Sequence, residues 1–470
     1  MPITAAQIDN WRRERKEHQQ LEFKAASRQY DTRKLCAYCV ALANEGGGHL
    51  ILGIADSLPH DVVGSEAFPD INDIAQNLLR WLNFRVNVEA VHHPDGRVIV
   101  FSIPSRPRGT AYHYDGRYLM RSGEELVAMS EDRLRVIFDE GRPDWLAQVC
   151  REGLSGTEVV ELLDTQTFFE LRKLPYPTDQ AGVLERLRNE RLILQRGGGF
   201  AILRYGALLL AKRLADFEDL AGKAPRVIVY RGSSKLSTRL EQTGGKGYAV
   251  GFEALVQFVM TQLPRNELIG LALREEFELV PSIVIRELVA NALVHQDFSL
   301  FGASVMIEIY DDRVEISNPG EPIIPSVRFI DGSRSRNETF ALIARKLRMC
   351  EEKGSGIDKV VNSIEAYQLP APDFTSTFGR TVAIVYGQRS FDRMSRADRL
   401  RACYQHATLR YVMHGEKMSN RSLRERFGLP EDKAAVVSQL IAAALQEGLV
   451  KADETTGDSK RFARYVPFWA

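Results

Sequence analysis

The stretch "VIRELVANALVHQDFSL", residues 284–300, sets Glu287, Asn291 and His295 four residues apart each time. On an α-helix that spacing stacks side chains along one face. Leu288, Val289, Ala292 and Leu293 fall between them and form an apolar stripe that needs something to pack against. Asparagine is a poor helix former, so Asn291 inside such a helix asks for a reason beyond propensity. A solvated polar face on an ordinary amphipathic helix is the plain alternative.

Around this stretch the bulk numbers are unremarkable for a globular chain. At 470 residues there is room for roughly three or four domains. Hydrophobic residues make up 44% and charged residues 26%, the balance of a protein that buries a core. The 62 Lys and Arg cancel the 62 Asp and Glu, so any surface for a polyanion has to be local. No apolar run approaches the ~18 residues of a membrane span. The opening "MPITAAQIDNWRRERKEHQQ" lacks the apolar core of a signal peptide. Five scattered cysteines argue against a disulfide framework and for a reducing cytosol, so a cytoplasmic location is expected. Cys36 and Cys39 have C-x-x-C spacing, but no second pair follows; in the helical "TRKLCAYCVALANE" (32–45) they read as small buried hydrophobes.

The pattern along the chain predicts a multi-domain α+β protein in four parts. Residues 1–140 are mixed: a helix ends at "ANEGGG", "HLILGIAD" (49–56) and "RVIVFSIP" (97–104) are strands, and "AYHYDGRYLMRS" (111–122) is a hairpin with Asp-Gly at its turn. Residues 141–224 form a helical bridge with a winged-helix flavour, since residues 182–214 read helix, turn, strand, helix. Residues 225–390 return to an α/β sandwich. There "ASVMIEIYDDRVEISNPGEP" (303–322) is a hairpin whose Val305, Ile307, Ile309, Val314 and Ile316 alternate toward a core. Residues 391–470, opening in the polar linker "SFDRMSRADRL" (390–400), read as a winged helix.

The chain has no G-x-x-x-x-G-K-[ST], which argues against a P-loop motor. The opening stretch instead belongs to a longer series: "EISNPGEP" (315–322), "RSRNETFALIARKL" (334–347) and "EEKGSGIDKVVNSIEAYQLPAPDF" (351–374). In the last of these, glycines precede a helix, where backbone can approach a ligand and N–H groups can meet phosphate. Taken in order, these blocks resemble the RecG-related ATP-binding domain of the GHKL superfamily over residues 200–388. The resemblance implies that Asn291 coordinates Mg²⁺ through its amide oxygen and that Glu287 orients or deprotonates the attacking water. A carboxylate one turn from a metal ligand is suited to that water. It further implies that Gly320 and its neighbours floor an adenine pocket and that Gly354, Ser355 and Gly356 form the phosphate loop. Asn318 stands where hydrolysing relatives carry an Asp that reads the adenine amino group; its amide oxygen accepts the same hydrogen bond more weakly. ATP binding is therefore expected, with at most a weak ATPase activity. His295 reads as an orienting or packing group rather than a catalyst.

At the N-terminal end, "HQQLEFKAAS" (18–27), "LANEGGGHLILGIAD" (42–56) and "SRPRGTAYHYDGRYLMRSGEELVAMS" (105–130) together resemble the Schlafen AlbA-type domain. Relatives of this type divide between nucleic-acid binding and metal-dependent cleavage, and two chemistries fit. In the first, Lys24, Arg106, Arg108, Arg117 and Arg121 line a cleft for phosphates while Tyr112, Tyr114 and Tyr118 offer faces for stacking. Residues 1–40 carry eight Lys and Arg against five Asp and Glu, a mild basic bias. In the second, Glu17, Glu22 and Asp56 converge on Mg²⁺ or Mn²⁺, as hard carboxylate oxygens do, and activate water against a phosphodiester. A solvated charged helix explains Glu17 in "RRERKEH" equally well.

The last segment, 419–467, has helix-turn-helix logic and resembles winged-helix domains. Ser419 or Asn420 caps a short helix, "FGLPED" turns, and a second helix runs from Lys433 to Glu447. Leu423, Phe427, Val436, Leu440 and Leu445 are expected in its core. DNA contact would fall to Arg421, Arg424, Lys433 and the wing's Lys460, Arg461 and Arg464. The alanine-rich "KAAVVSQLIAAALQEG" is poor in base-reading side chains and suits a protein partner as well. The whole reads as an ATP-binding, nucleic-acid-binding regulator, most naturally of transcription, forming a dimer or larger homo-oligomer as GHKL modules often do. The rival is a nucleotide-gated nuclease acting on RNA or DNA in defence against foreign nucleic acid.

Overall fold

The computed structural model describes residues 3–13, 20–57, 59–122, 125–141, 144–269, 274–332, 334–350, 356–453 and 463–470. The chain divides into two compact units, residues 1–143 and 144–470. The fold is multi-domain α+β.

The first unit runs α1 (Ala5–Arg13), β1 (Leu21–Lys24), α2 (Thr32–Asn44), β2 (Gly48–Leu52), α3 (Ile71–Leu82), β3 (Asn87–His93) and β4 (Gly96–Ile103). The sheet order is β1-β2-β4-β3, with β1 and β2 parallel and the other pairs antiparallel. A parallel neighbour requires a crossover, and α2 is that crossover. Alternation along β2 and β4 feeds two cores: Leu50, Leu52, Ile99 and Phe101 pack under α2 and α3, while Ile51, Val98 and Val100 join Phe23 and Ile8. Cys36 and Cys39 are buried in the first of these. Asp31 opens α2 by accepting from the backbone of Arg33 and Lys34. At its other end buried Asn44 donates to the carbonyls of Tyr112 (2.9 Å) and Leu119 (3.0 Å) and accepts from the Tyr112 amide (2.8 Å). Those bonds stitch on a small antiparallel sheet, β5 (His113–Tyr114), β6 (Arg117–Ser122) and β7 (Glu125–Ala128), followed by α4 (Glu131–Asp139). Its first turn has Asp115 and Gly116 at φ 50° and 70°, as a two-residue hairpin requires.

The second unit opens with β8 (Val149–Leu154), α5 (Gly156–Leu162), α6 (Thr165–Leu171), α7 (Gln180–Asn189), β9 (Ile193–Arg196), β10 (Gly199–Leu203) and α8 (Arg204–Leu210). It continues with β11 (Arg226–Tyr230), β12 (Thr238–Thr243), α9 (Tyr248–Gln262), the ribbon β13 (Arg265–Ile269) and β14 (Arg274–Glu278), α10 (Ser282–His295), β15 (Met306–Ile309) and β16 (Arg313–Pro319). Then come α11 (Glu338–Lys346), α12 (Gly356–Ala366), β17 (Asp373–Thr377) and β18 (Arg380–Tyr386). Six strands form one sheet in the order β12-β11-β15-β16-β18-β17, and α9, α10 and α12 pack beside one another. One apolar cluster runs from Leu146 to Val385. The segment expected as a separate bridge thus shares a continuous core with the sandwich.

The chain ends in α13 (Arg396–Leu409), α14 (Asn420–Arg426), α15 (Ala434–Gln446), β19 (Val450–Ala452) and β20 (Tyr465–Pro467). Ser419 is the N-cap of α14. Leu423, Phe427 and Leu440 are buried as expected, but Val436 and Leu445 face outward, and Val437, Ile441 and Ala444 take their places in the core. Among the described residues no helix is long and apolar enough to cross a membrane.

Candidate functional sites

Helix α10 is buried along most of its length, Glu287 included. Glu287, Asn291 and His295 face one cavity of about 180 Å³. The sheet contributes Ile316, Asn318, Thr381 and Ala383 to its wall, and Phe329, Phe374, Arg334, Arg336, Arg345 and Gly356 complete it. Gly356 explains itself by contact: a Cβ there would stand 2.8 Å from Glu287 Oε2 and 3.5 Å from Asn291 Nδ2. Gly320, at φ 97°, is confined in the same way, because a Cβ would collide with Arg336 and Asp297. Gly354 and Ser355 lie outside the described residues.

The segment before α11 is clamped onto the end of α10. Asn337 donates to the carbonyls of Val294 and Gln296, both at 2.8 Å. Arg336 bonds Asp297 (2.9 Å) and the Glu321 carbonyl (2.8 Å), and the Ser335 hydroxyl meets His295 Nδ1 at 3.3 Å. His295 is exposed to the cavity, yet its crowded surroundings, with Arg345 and Arg336 beside it, push its pKa down to about 4. At neutral pH the imidazole is uncharged and the arginines supply the positive field. Asn318 is buried on β16 opposite Thr381, and its amide donates to the Pro319 carbonyl at 3.2 Å. Thr381 in turn donates to the Gly320 carbonyl at 2.8 Å. Sequence reasoning passed over Arg334, Arg336, Arg345, Thr381 and Phe374 as cavity-lining groups; the "RSRN" run and the four-residue step from Ala341 to Arg345 were the available signals.

At the start of α12, burial first and then the Asp331 carboxylate push the Asp358 pKa up to about 6. A carboxyl raised on folding contributes most below its unfolded pKa and loses that contribution as pH rises through 6. Asp358→Asn is therefore expected to raise stability at pH 7.5 by about 1 kcal/mol, after discounting for solvent at a half-buried site. Thermal melts repeated at pH 4 should show the gain shrinking; a gain independent of pH would disprove the assignment.

In the first unit the structure brings together Glu22, Lys24, Asp56 and Arg121. Glu22 is fully buried, with Lys24 Nζ at 2.8 Å from one oxygen and Arg121 Nη2 at 2.7 Å from the other. Lys24 also reaches Asp56 at 3.1 Å, and the Ala25 amide donates to the second Asp56 oxygen at 3.0 Å. Burial alone would lower the Lys24 pKa; its contacts with Glu22 and Asp56 reverse the sign and leave it raised. The position a divalent cation would need between Glu22 and Asp56 is thus taken by an ammonium. These residues do not fit a metal as they stand, and among the described residues no group of three ligands does. Glu17 lies outside the described residues.

The other expected phosphate contacts separate into two groups. Arg106 makes a two-pronged ion pair with Glu140 at 2.7 and 2.8 Å, and Tyr112 stacks on Phe84. Arg108 and Arg117 are exposed, and so is Arg33, which sequence reasoning passed over although its charge reaches the Tyr114 hydroxyl. In the winged helix Arg421 pairs with Glu425 (2.8 Å), Arg424 bonds Asn420 (3.1 Å), and Lys433 is exposed. Lys460 and Arg461 lie outside the described residues; Arg464 donates to the Ala463 carbonyl at 3.3 Å.

Residues 17–130 match the family described as "Schlafen, AlbA_2", and residues 302–385 match the one described as "Putative ATP-dependent DNA helicase recG C-terminal". The second match begins after α10, so it takes in Asn318, Gly320 and residues 354–356 but not Glu287, Asn291 or His295. No curated protein matches the chain. Among solved structures, the DIP2311 protein from Corynebacterium diphtheriae is 16% identical, over 96% of this chain and 92% of its own, at a TM-score of 0.43. The N-terminal domain of a putative ATP-dependent DNA helicase RecG-related protein from Nitrosomonas europaea is 17% identical, over 27% of this chain and 92% of its own, at a TM-score of 0.20. One polypeptide therefore carries, in order, a segment similar to Schlafen AlbA_2 domains and a segment similar to the RecG C-terminal family.

Proposed function

We propose that this chain is an ATP-binding, nucleic-acid-binding regulator, with transcription as its output, in which the nucleotide sets the arrangement of the parts. The observation that carries the reading is the stack of Glu287 and Asn291 against Gly356, in a cavity that Arg336 and Arg345 also line. A triphosphate needs such a cradle, where backbone comes close and cations surround it. Asn291 would hold Mg²⁺ through its amide oxygen, and the ion would neutralise phosphate charge. Glu287 is suited to orient water, Gly354, Ser355 and Gly356 to cradle phosphate, and Asn318 to accept from the adenine amino group. Gly320 keeps the pocket floor open. ATP shifts the arrangement only as far as it binds one form more tightly than another.

For the first unit we favour binding over cleavage, because Lys24 and Arg121 already neutralise Glu22. Arg108 and Arg117 remain exposed for phosphate, as does Lys433 in the winged helix for DNA, with half-buried Arg424 on the neighbouring helix. A second copy of the chain is the expected protein partner. Fluorescence anisotropy with short RNA and DNA strands, across a salt series, tests this. Arg117→Ala should weaken binding to all sequences alike and reduce the salt slope by about one. The strands should remain whole in Mn²⁺; metal-dependent cuts that vanish in Asp56→Asn would replace this reading with the nuclease.

A further inference from the structure

Helix α12 has one end in the nucleotide pocket and the other in the winged helix. Its first residue, Gly356, lies against Glu287 and Asn291. Nine residues on, roughly 14 Å along the helix axis, the Glu365 carboxylate meets His406 Nδ1 at 2.8 Å. His406 belongs to α13, and its other nitrogen contacts the Ser422 hydroxyl at 3.1 Å. Ser422 is the residue whose backbone completes the cap of α14, the first helix of the helix-turn-helix pair. His406 and Ser422 are both buried, so this bridge excludes competing water. The ground around it is firm: buried Arg426 of α14 donates to the Leu369 carbonyl just beyond α12 at 2.8 Å, and Val361 packs with Leu409.

We propose that His406 is the positioning residue through which occupancy of the pocket reaches α14. The inference rests on the ATP-binding reading above. A rigid helix whose N-terminal turn touches the ligand moves as a body, so a shift at Gly356 is delivered to Glu365. Among the described residues, the Glu365–His406–Ser422 bridge is the contact between α12 and the winged helix that reaches both α13 and the cap of α14. A buried polar bridge with two partners transmits displacement because its hydrogen bonds are directional, whereas apolar contacts such as Val361 with Leu409 slide.

Hydrogen exchange of the full chain, read over the amides of α14 with and without saturating Mg-ATP, tests the proposal beside calorimetry on the same samples. In the wild type, ATP should change α14 exchange by about five-fold or more, the lower range of allosteric couplings. His406→Ala should bind ATP within about two-fold of wild type but lose that response, since it lies far from the cavity. His406→Gln, which keeps one donor, should restore part of it, a rescue that a merely structural role would not give. Should His406→Ala fail to fold, Glu365→Gln weakens the same link more gently and should reduce the response. Wild-type protein that binds ATP with no change in α14, or a variant that responds like wild type, overturns the relay alone. No heat of ATP binding to wild type overturns the pocket reading and the relay with it.

Discussion

Asn291→Ala should reduce Mg-ATP affinity at least 100-fold by calorimetry, a loss of about 2.7 kcal/mol. The reason lies in what the cavity offers. Its positive charge comes from Arg334, Arg336 and Arg345, of which Arg336 and Arg345 stand near His295 at the C-terminal end of α10. Two of Arg336's bonds already go to Asp297 and the Glu321 carbonyl. On the α10 side the polar groups are a carboxylate, an amide and an uncharged imidazole. A triphosphate laid against Glu287 would meet repulsion there unless an ion stood between them, and on the proposed reading Asn291 would hold it. Removing its oxygen removes that ion and leaves phosphate facing carboxylate. The variant should fold, because alanine is the better helix former and Asn291 is only partly buried. A melting temperature equal to or slightly above wild type would separate lost binding from lost structure. Unchanged affinity would show that the ion, if needed, is held elsewhere.

How much of this was readable in advance depended on the range of the interaction. The α10 stripe was legible because four-residue spacing is local, and the alternation of Val305, Ile307 and Ile309 was legible for the same reason. The Asp115-Gly116 turn carried its own conformational demand. The phase of α15 was not legible. Its sequence is apolar nearly all the way round, so no polar face marks which of Val436 and Val437 turns inward, and the choice falls to packing against α13 and α14. The continuity of the core from Leu146 to Val385 was hidden for another reason: strands and helices far apart in sequence share it, and composition shifts do not record that. Within the pocket, Glu287 and Asn291 declared themselves by period, whereas the four-residue step from Ala341 to Arg345 is one that any basic residue late in a helix shares. In the first unit the "EFK" motif drew attention to Glu22, but nothing local said that Arg121, on a strand nearly a hundred residues later, would close over it.

That closure leads to the second large effect: Glu22→Ala should destabilise the first unit by about 3–5 kcal/mol. Glu22 is inaccessible to solvent, and its two oxygens each face a cation, Lys24 at 2.8 Å and Arg121 at 2.7 Å. Lys24 retains Asp56 as a partner and has an outlet to water, whereas the Arg121 side chain is 6% exposed and would lose the buried carboxylate that neutralises it. The cost comes from burying the guanidinium without that carboxylate more than from the lost attraction, so it is testable by a second substitution. Arg121→Met alone should also destabilise, and the Glu22→Ala/Arg121→Met pair should recover much of the loss, giving a strong coupling in the double-mutant cycle. Because the full chain has two units, the measurement should be local, by hydrogen exchange or limited proteolysis over β1 and β6 rather than a single melting curve. A Glu22→Ala protein that keeps wild-type protection there would mean that the carboxylate is dispensable to the fold and available for other chemistry. With the expected loss, disappearance of nucleic-acid cleavage in Glu22→Ala would report unfolding rather than a missing metal ligand. Asp56, whose side chain is 53% exposed, is then the position at which cleavage can be tested without disturbing the buried pair.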